Sequence, residues 1–342
     1  MEKEQLKKPP QTHTADGKER RVGVEIEFSG LAPQDAAKLV AEWLGAASAP
    51  TSNPFIFSVP DTKWGDFSIE LDTKYISADE MLEKALKDAG IQLEKKNLDF
   101  SREVAKQIRD VIGNVSTGWV PTEIVTPPIP WSELNNLSEL VALLRKAGAQ
   151  GTDQNLFYSF GLHLNPEFYS NKTEDILAVL KAEIILSDWL REKIKVDPTR
   201  QIFPHIDPFP ESYAELILDE DYWPDIDQII KDYISFNPTR NRELDMLPAF
   251  SHLSRKTVEN LIDDDRIKAR PTFHYRLPNV LFQDSTWSVA AEWNRWVSVE
   301  TLACDSAALN EMSRHHLKML HTSPVDKIAT EVSSWVKRFS LP

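Results

Sequence analysis

Residues 21–28, Arg21-Val22-Gly23-Val24-Glu25-Ile26-Glu27-Phe28, alternate apolar with polar side chains over one short run. A period of two is what a half-buried β-strand requires, because successive side chains point to opposite faces. Val22, Val24, Ile26 and Phe28 therefore belong to a covered face, and Gly23, Glu25 and Glu27 to the other. The two carboxylates then stand roughly 6.5–7 Å apart along the strand. Acids held in that way either sit in water or hold cations between them.

Three further segments alternate in the same manner. Asp66-Phe67-Ser68-Ile69-Glu70-Leu71-Asp72 sets Phe67, Ile69 and Leu71 against Asp66, Ser68, Glu70 and Asp72. Residues 158–165 set Tyr158, Phe160, Leu162 and Leu164 against Ser159, Gly161, His163 and Asn165. Residues 271–278 set Phe273, Tyr275 and Leu277 against Thr272, His274 and Arg276. A stretch over 119–126, which contains Glu123, reads as extended and is stopped by Pro127-Pro128, although its alternation is poor.

Helical periodicity covers 33–44, with a proline at its first turn, and 132–147, where Gly148 is placed to end the helix. It also covers 78–112, 173–196, 225–236, 254–264 and the chain from 286 onward, with a break at Pro324. Trp287, Trp293 and Trp296 fall near helical spacing and read as core. Residues 1–20 read as a loose, disordered tail. Residues 21–342 read as one domain with a mainly helical and irregular insertion around 170–265.

The expected fold is α+β: a mostly antiparallel, curved sheet with an open polar face and helices packed on the other face. The polar face would collect Glu25, Glu27, Asp66, Glu70, His163, Asn165, His274 and Arg276. Each has a plain alternative. A Glu-x-Glu strand can be an exposed edge, a lone histidine a hydrogen-bonded structural one, and Asp66, Glu70 and Asp72 a solvated face. Their convergence from four separate segments favours a site. Clustered carboxylates raise one another's pKa unless cations intervene, and oxygen ligands with an occasional imidazole suit Mg²⁺ or Mn²⁺.

Composition narrows the function classes. A net charge of −14, with no basic run beyond Lys7-Lys8 and Lys95-Lys96, argues against a nucleic-acid partner. No Gly-x-Gly-x-x-Gly occurs, and the paired-glycine stretch from Gly113 to Gly118 leads to Trp119 rather than lysine, so Rossmann and P-loop sites are not expected. No run of about eighteen apolar residues is present, so no membrane span is expected. The single cysteine, Cys304, allows no intrachain disulfide and fits a cytoplasmic setting.

These residues resemble the motifs of the amidoligase family, relatives of glutamate–cysteine ligase and glutamine synthetase. Residues 22–28 resemble its opening strand. Trp64-Gly65-Asp66-Phe67-Ser68-Ile69 is similar to its Trp-x-x-Asp-x-Ser strand, and Glu123-Ile124-Val125-Thr126-Pro127-Pro128 to its Glu-hydrophobic-hydrophobic-Ser/Thr-Pro motif. Gly161-Leu162-His163-Leu164-Asn165 resembles its Gly-x-His-x-His strand, and Thr272-Phe273-His274-Tyr275-Arg276 stands where the family has Thr-hydrophobic-Glu-Phe-Arg. The five motifs occur in the family's order. Two positions depart: Asn165 replaces the second histidine, and His274 replaces a glutamate that ligates metal in the superfamily.

The resemblance implies a glutamine synthetase catalytic-domain-like fold and ATP-dependent joining of a carboxylate to an amine through an acyl phosphate, with Mg²⁺ or Mn²⁺. It implies that Glu27 and Glu123 hold one metal. Glu25 and His163, with His274, would hold another, and His163 would also lie near the nucleotide. Arg276 would stabilise the transferring phosphoryl group, and Arg240 and Arg242 are candidates for phosphate or substrate carboxylate. Asp66 is a candidate for accepting the amine's proton. The alternatives are a guanidino-kinase-like phosphotransferase and a non-catalytic nucleotide-binding protein. Expected partners are small-molecule carboxylates and amines, with the chain a monomer or homodimer and another peptide-modifying enzyme a candidate companion.

Overall fold

The computed structural model describes residues 4–53, 55–71, 121–152, 161–196 and 206–320. Strand β1 (Arg21–Phe28) is central to one open antiparallel sheet. Further strands are β2 (Ala49–Pro50), β3 (Ile56–Thr62), β4 (Gly65–Leu71), β5 (Thr122–Val125), β6 (Ile129–Pro130) and β7 (Leu162–Pro166). The β5 and β6 strands lie along one edge of β1, separated by Pro127-Pro128, and β7 lies along the other. Outward from β5 the order continues through β4 and β3 to β2.

The expected strand over 271–278 pairs with the free edge of β7, but as a run of bridges rather than a regular ladder. Leu164 and Tyr275 exchange both backbone hydrogen bonds at 2.9 Å, Phe273 N–H donates to the Pro166 carbonyl, and Leu162 N–H donates to the Pro278 carbonyl. Pro271 and Pro278 lack an N–H, which breaks the ladder at each end. Residues 243–245 then pair with the far side of this segment through Leu244 and Tyr275. Strand-like backbone thus runs on past β7.

Apolar side chains of the strands meet the helix α1 (Pro33–Leu44), and a second helix, α2 (Leu137–Ala147), packs beside α1 in the same core. Val24, Ile26, Phe28, Ile69 and Ile124 are fully buried with Ala36, Val40, Leu140 and Leu144. Each large side chain so covered contributes about 1.5–3 kcal/mol. The α2 helix ends at Gly148, whose φ of 95° is a left-handed conformation that costs a glycine little. Its N-terminal part was expected to be α-helical from 132, but residues Trp131–Asn136 form a 3₁₀ helix.

The remaining helices are α3 (Thr173–Ile194), α4 (Glu211–Leu218), α5 (Ile226–Phe236), α6 (Leu247–Leu253), α7 (Arg255–Leu261), α8 (Val289–Ala303) and α9 (Ser306–Leu320). Trp293 and Trp296 of α8 are completely buried, and Trp296 stacks on Phe273 and Tyr275, with ring centroids 5.5 and 5.2 Å away. The back of the 271–278 segment is fixed in this way.

Residues 4–20 correct the expectation of a loose tail. Trp293 Nε1 donates to the Lys7 carbonyl, the Lys7 N–H donates to Asn294, and Asn294 Nδ2 donates to the Gln5 carbonyl. Arg20, only 1% exposed, makes two hydrogen bonds to Glu300 at 2.8 and 2.6 Å. Its Nε also donates to the Glu167 carbonyl. A buried arginine paired across the fold ties the arm down, which charge and proline content alone conceal. Asp72, Trp119, residues 78–112, 158–160 and Pro324 lie outside the described residues.

Candidate active site

Strand register sets the polar face in rows. Across β1 and β7, Glu25 stands opposite His163, and Gly23 opposite Asn165. Across β1 and β5, Glu27 stands opposite Glu123, which in turn faces Glu70 on β4. The bridges beyond β7 bring His274 and Arg276 alongside. Glu25, Glu27, Glu123, His163, Asn165, His274 and Arg276 are all buried despite their polarity. Such burial is costly unless the groups are hydrogen-bonded or hold cations.

The contacts form an alternating series of acids and imidazoles. His163 Nδ1 lies 2.8 Å from Glu25 Oε2, while its Nε2 lies 3.8 Å from Glu27 Oε1. His274 Nδ1 lies 3.3 Å from Asp245 Oδ2, while its Nε2 lies 3.8 Å from Glu25 Oε2. Hydrogen bonds therefore alternate with gaps too wide for one. A carboxylate against Nδ1 takes the imidazole proton there, which leaves a lone pair on Nε2 facing each gap. The two rings meet edge to face, with centroids 5.3 Å apart.

Burial pushes the His163 imidazole down to about 3, against the opposing pull of Glu25, and the neighbouring charge of Arg276 acts in the same direction as burial. His163 is neutral at physiological pH. Burial disfavours the charged form of Glu25, yet its surroundings, led by the hydrogen bond with His163, outweigh that and hold it well below the usual carboxylate range. Asn165 Nδ2 adds a hydrogen bond to Glu25 Oε1 at 3.2 Å. Asn165 thus serves Glu25 as a donor in the place where the resemblance has a second histidine.

Among the described residues, two trios offer ligand atoms within 4.8 Å of one another: Glu25 with His163 and His274, and Glu27 with Glu123 and His163. His163 belongs to both. A divalent cation fits either trio: carboxylate oxygens and imidazole nitrogens converge, and His274 Nε2 is buried with no hydrogen-bond partner. Glu27 Oε2 also accepts the Gly161 N–H at 2.9 Å, which anchors its other oxygen toward β7.

The remaining sequence-predicted residues divide. Arg276 is buried beside the row, and its guanidinium donates to the Arg240 carbonyl. The Arg240 guanidinium pairs with Asp245 at 3.0 Å and donates to the Arg266 carbonyl, so it braces the site. Arg242 donates to the Pro208 carbonyl at 2.7 Å. Asp66 is exposed at the start of β4 and accepts the Asp61 N–H at 2.9 Å, closing the β3–β4 hairpin. Four residues of strand separate it from Glu70, roughly 13 Å along the chain.

Two residues absent from the sequence reading join the site. Asp245 is completely buried behind His274. Arg270, with about half its side chain exposed, places NH1 3.7 Å from Glu25 Oε1. Neither lies in an alternating segment, and Asp245 reaches the site only through pairing with residues 29 positions away.

A family model described as "Putative amidoligase enzyme" matches residues 18–298, which span every strand and candidate residue described above. No curated protein and no solved structure matches the chain. The ligase-type motifs expected from the sequence and the family match coincide, and the chain belongs to this amidoligase family.

Proposed function

We propose that the protein is an ATP-dependent carboxylate–amine ligase acting through an acyl phosphate, with two Mg²⁺ or Mn²⁺ ions on the polar face of the sheet. The observation that carries this reading is the pair of buried ligand trios sharing His163. A carboxylate is a poor electrophile, so amide formation needs activation. Transfer of the γ-phosphoryl group to a carboxylate oxygen releases ADP and makes an acyl phosphate. Attack by the amine then expels inorganic phosphate and leaves the amide.

When bound, the cations would neutralise the triphosphate and hold it in line for transfer. Glu27, Glu123 and His163 Nε2 would hold one, and Glu25 and His274 Nε2 the other, with His163 Nδ1 hydrogen-bonded to Glu25 between them. Arg276 would donate to the transferring phosphoryl group, for which a planar, permanently charged fork is suited. Arg270, at the half-exposed margin beside Glu25, is placed to meet an anionic group of the substrate. The open antiparallel sheet supports a glutamine synthetase-like arrangement. Small-molecule substrates and a cytoplasmic setting accord with the acidic charge and with the fact that no described helix is long and apolar enough to cross a membrane.

Phosphate release from ATP, measured across panels of amino acids and amines, tests the reading. The ligase should release phosphate only when both an acid and an amine are present, make an equivalent of amide, and stop on chelation of the metal. Phosphorylated acceptor without amide would favour a kinase. Nucleotide binding without turnover across the panels would contradict both enzymatic readings.

A further inference from the structure

Asp245 belongs to none of the five motifs, yet it is among the most enclosed charges in the described chain, with no exposed surface. Its two oxygens are fully engaged as acceptors. Oδ1 accepts the Leu247 N–H at 3.1 Å, and Oδ2 accepts Arg240 Nε at 3.0 Å and His274 Nδ1 at 3.3 Å. The backbone holds it there: the Asp245 N–H donates to the His274 carbonyl at 3.0 Å, and the Arg276 N–H donates to the Glu243 carbonyl at 2.8 Å. The carbonyl of Arg240 in turn accepts from the Arg276 guanidinium. One carboxylate thus stands behind both His274 and Arg276.

We infer that Asp245 is the positioning residue of the Glu25 cation site: it fixes the tautomer and aim of His274, so that this imidazole ligates a divalent cation with Glu25. The inference rests on the two-cation reading above and deepens it by accounting for a histidine where the family has a glutamate. A glutamate brings its own charge. An imidazole presents a lone pair at Nε2 only when Nδ1 keeps the proton, and a carboxylate hydrogen-bonded there makes it a stronger ligand. Here Nε2 is buried, without a hydrogen-bond partner, and 3.8 Å from Glu25 Oε2. Such a site takes a cation with affinity for imidazole, Mn²⁺ ahead of Mg²⁺.

The test is Mn²⁺ titration of the full chain, followed by the electron paramagnetic resonance of the free ion and by nitrogen couplings to the bound ion. Asp245→Asn removes the charge and one of the two acceptor oxygens that Leu247, Arg240 and His274 share, so the hold on His274 Nδ1 is weakened. The variant should bind Mn²⁺ at the Glu25 site about 10–100-fold more weakly, the usual effect of removing a partner behind a ligating histidine. It should also lose the imidazole coupling that His274→Ala loses. Adding Asp245→Asn to His274→Ala should change nothing further. Adding it to His274→Glu should tighten binding, because Asp245 then repels a second carboxylate.

An equal loss in all three backgrounds would mean that Asp245 acts through the fold at large, and would overturn the inference. So would wild-type Mn²⁺ affinity in Asp245→Asn. Wild-type protein that binds no Mn²⁺ at all would defeat the two-cation reading itself, and the inference with it. Should Asp245→Asn not fold, ¹⁵N resonances of the wild-type ring decide: His274 protonated at Nδ1 supports the assignment, and protonation at Nε2 overturns it.

Discussion

His163 and His274 each keep a proton on the side of one carboxylate and turn a bare nitrogen toward another. At the scale of single residues, this division of labour is what makes a buried row of acids chemically useful. Arg276 completes the row, with its guanidinium anchored on the Arg240 carbonyl. We expect Arg276→Lys to keep nucleotide affinity while slowing phosphoryl transfer on the order of 10³-fold, near the low end of an arginine's worth to that reaction. Single-turnover ATP consumption beside nucleotide titration checks this, and equal rates would remove Arg276 from the chemistry. Glu25, Glu27, His163 and His274 were legible because alternation alone assigns them to one face. Asp66 obeyed the same alternation and still lies apart, because it closes a hairpin whose pairing is irregular between Val59 and Thr62. Asp245 and the bracing role of Arg240 were not legible, since both depend on a backbone pairing that leaves no local pattern.

Elements differ in how plainly they announce themselves. The α1 helix begins at its proline and ends at a left-handed glycine, and its bounds are those the sequence suggests. The β3 strand contains Pro60 and so hides its pairing with β4. The α3 helix was legible over 173–196, but its depth was not: most of its residues are buried, so it lacks the one-sided stripe of a surface helix and carries charge inside. Within it, burial pushes the Glu183 carboxyl well up from its ordinary value near 4.5, and the adjacent Glu243 charge adds to the shift, while Arg191 opposes it. The folded chain keeps this proton where the unfolded chain gives it up, so Glu183 lowers stability as pH rises above that ordinary value. Glu183→Gln should therefore be more stable than the wild type at pH 8, with the advantage shrinking toward pH 5. The difference should change by no more than about 1.4 kcal/mol per pH unit. Urea unfolding across that range measures it, and parallel curves would contradict the assignment.

The whole molecule supports its site from behind. The arm over residues 4–20 lies on α8, where Arg20 pairs with Glu300 and Trp296 Nε1 donates to the same carboxylate. Trp296 in turn stacks against Phe273 and Tyr275, whose strand neighbours His274 and Arg276 face the site. A buried ion pair of this kind is costly to break, because removing one partner strands the other charge at about 3–5 kcal/mol. An open sheet with helices on its apolar face was legible from alternation; the docking of the arm was not, because it rests on one arginine meeting an acid 280 positions away. The claim on which the account turns is that the polar face holds two cation positions, one on each side of His163. Anomalous scattering from crystals soaked with Mn²⁺ and a non-hydrolysable ATP analogue tests it most directly. Two peaks should appear, one among Glu27, Glu123 and His163 and one beside Glu25 and His274. A polar face without a peak beside bound nucleotide, or Mn²⁺ held only elsewhere on the chain, would contradict it.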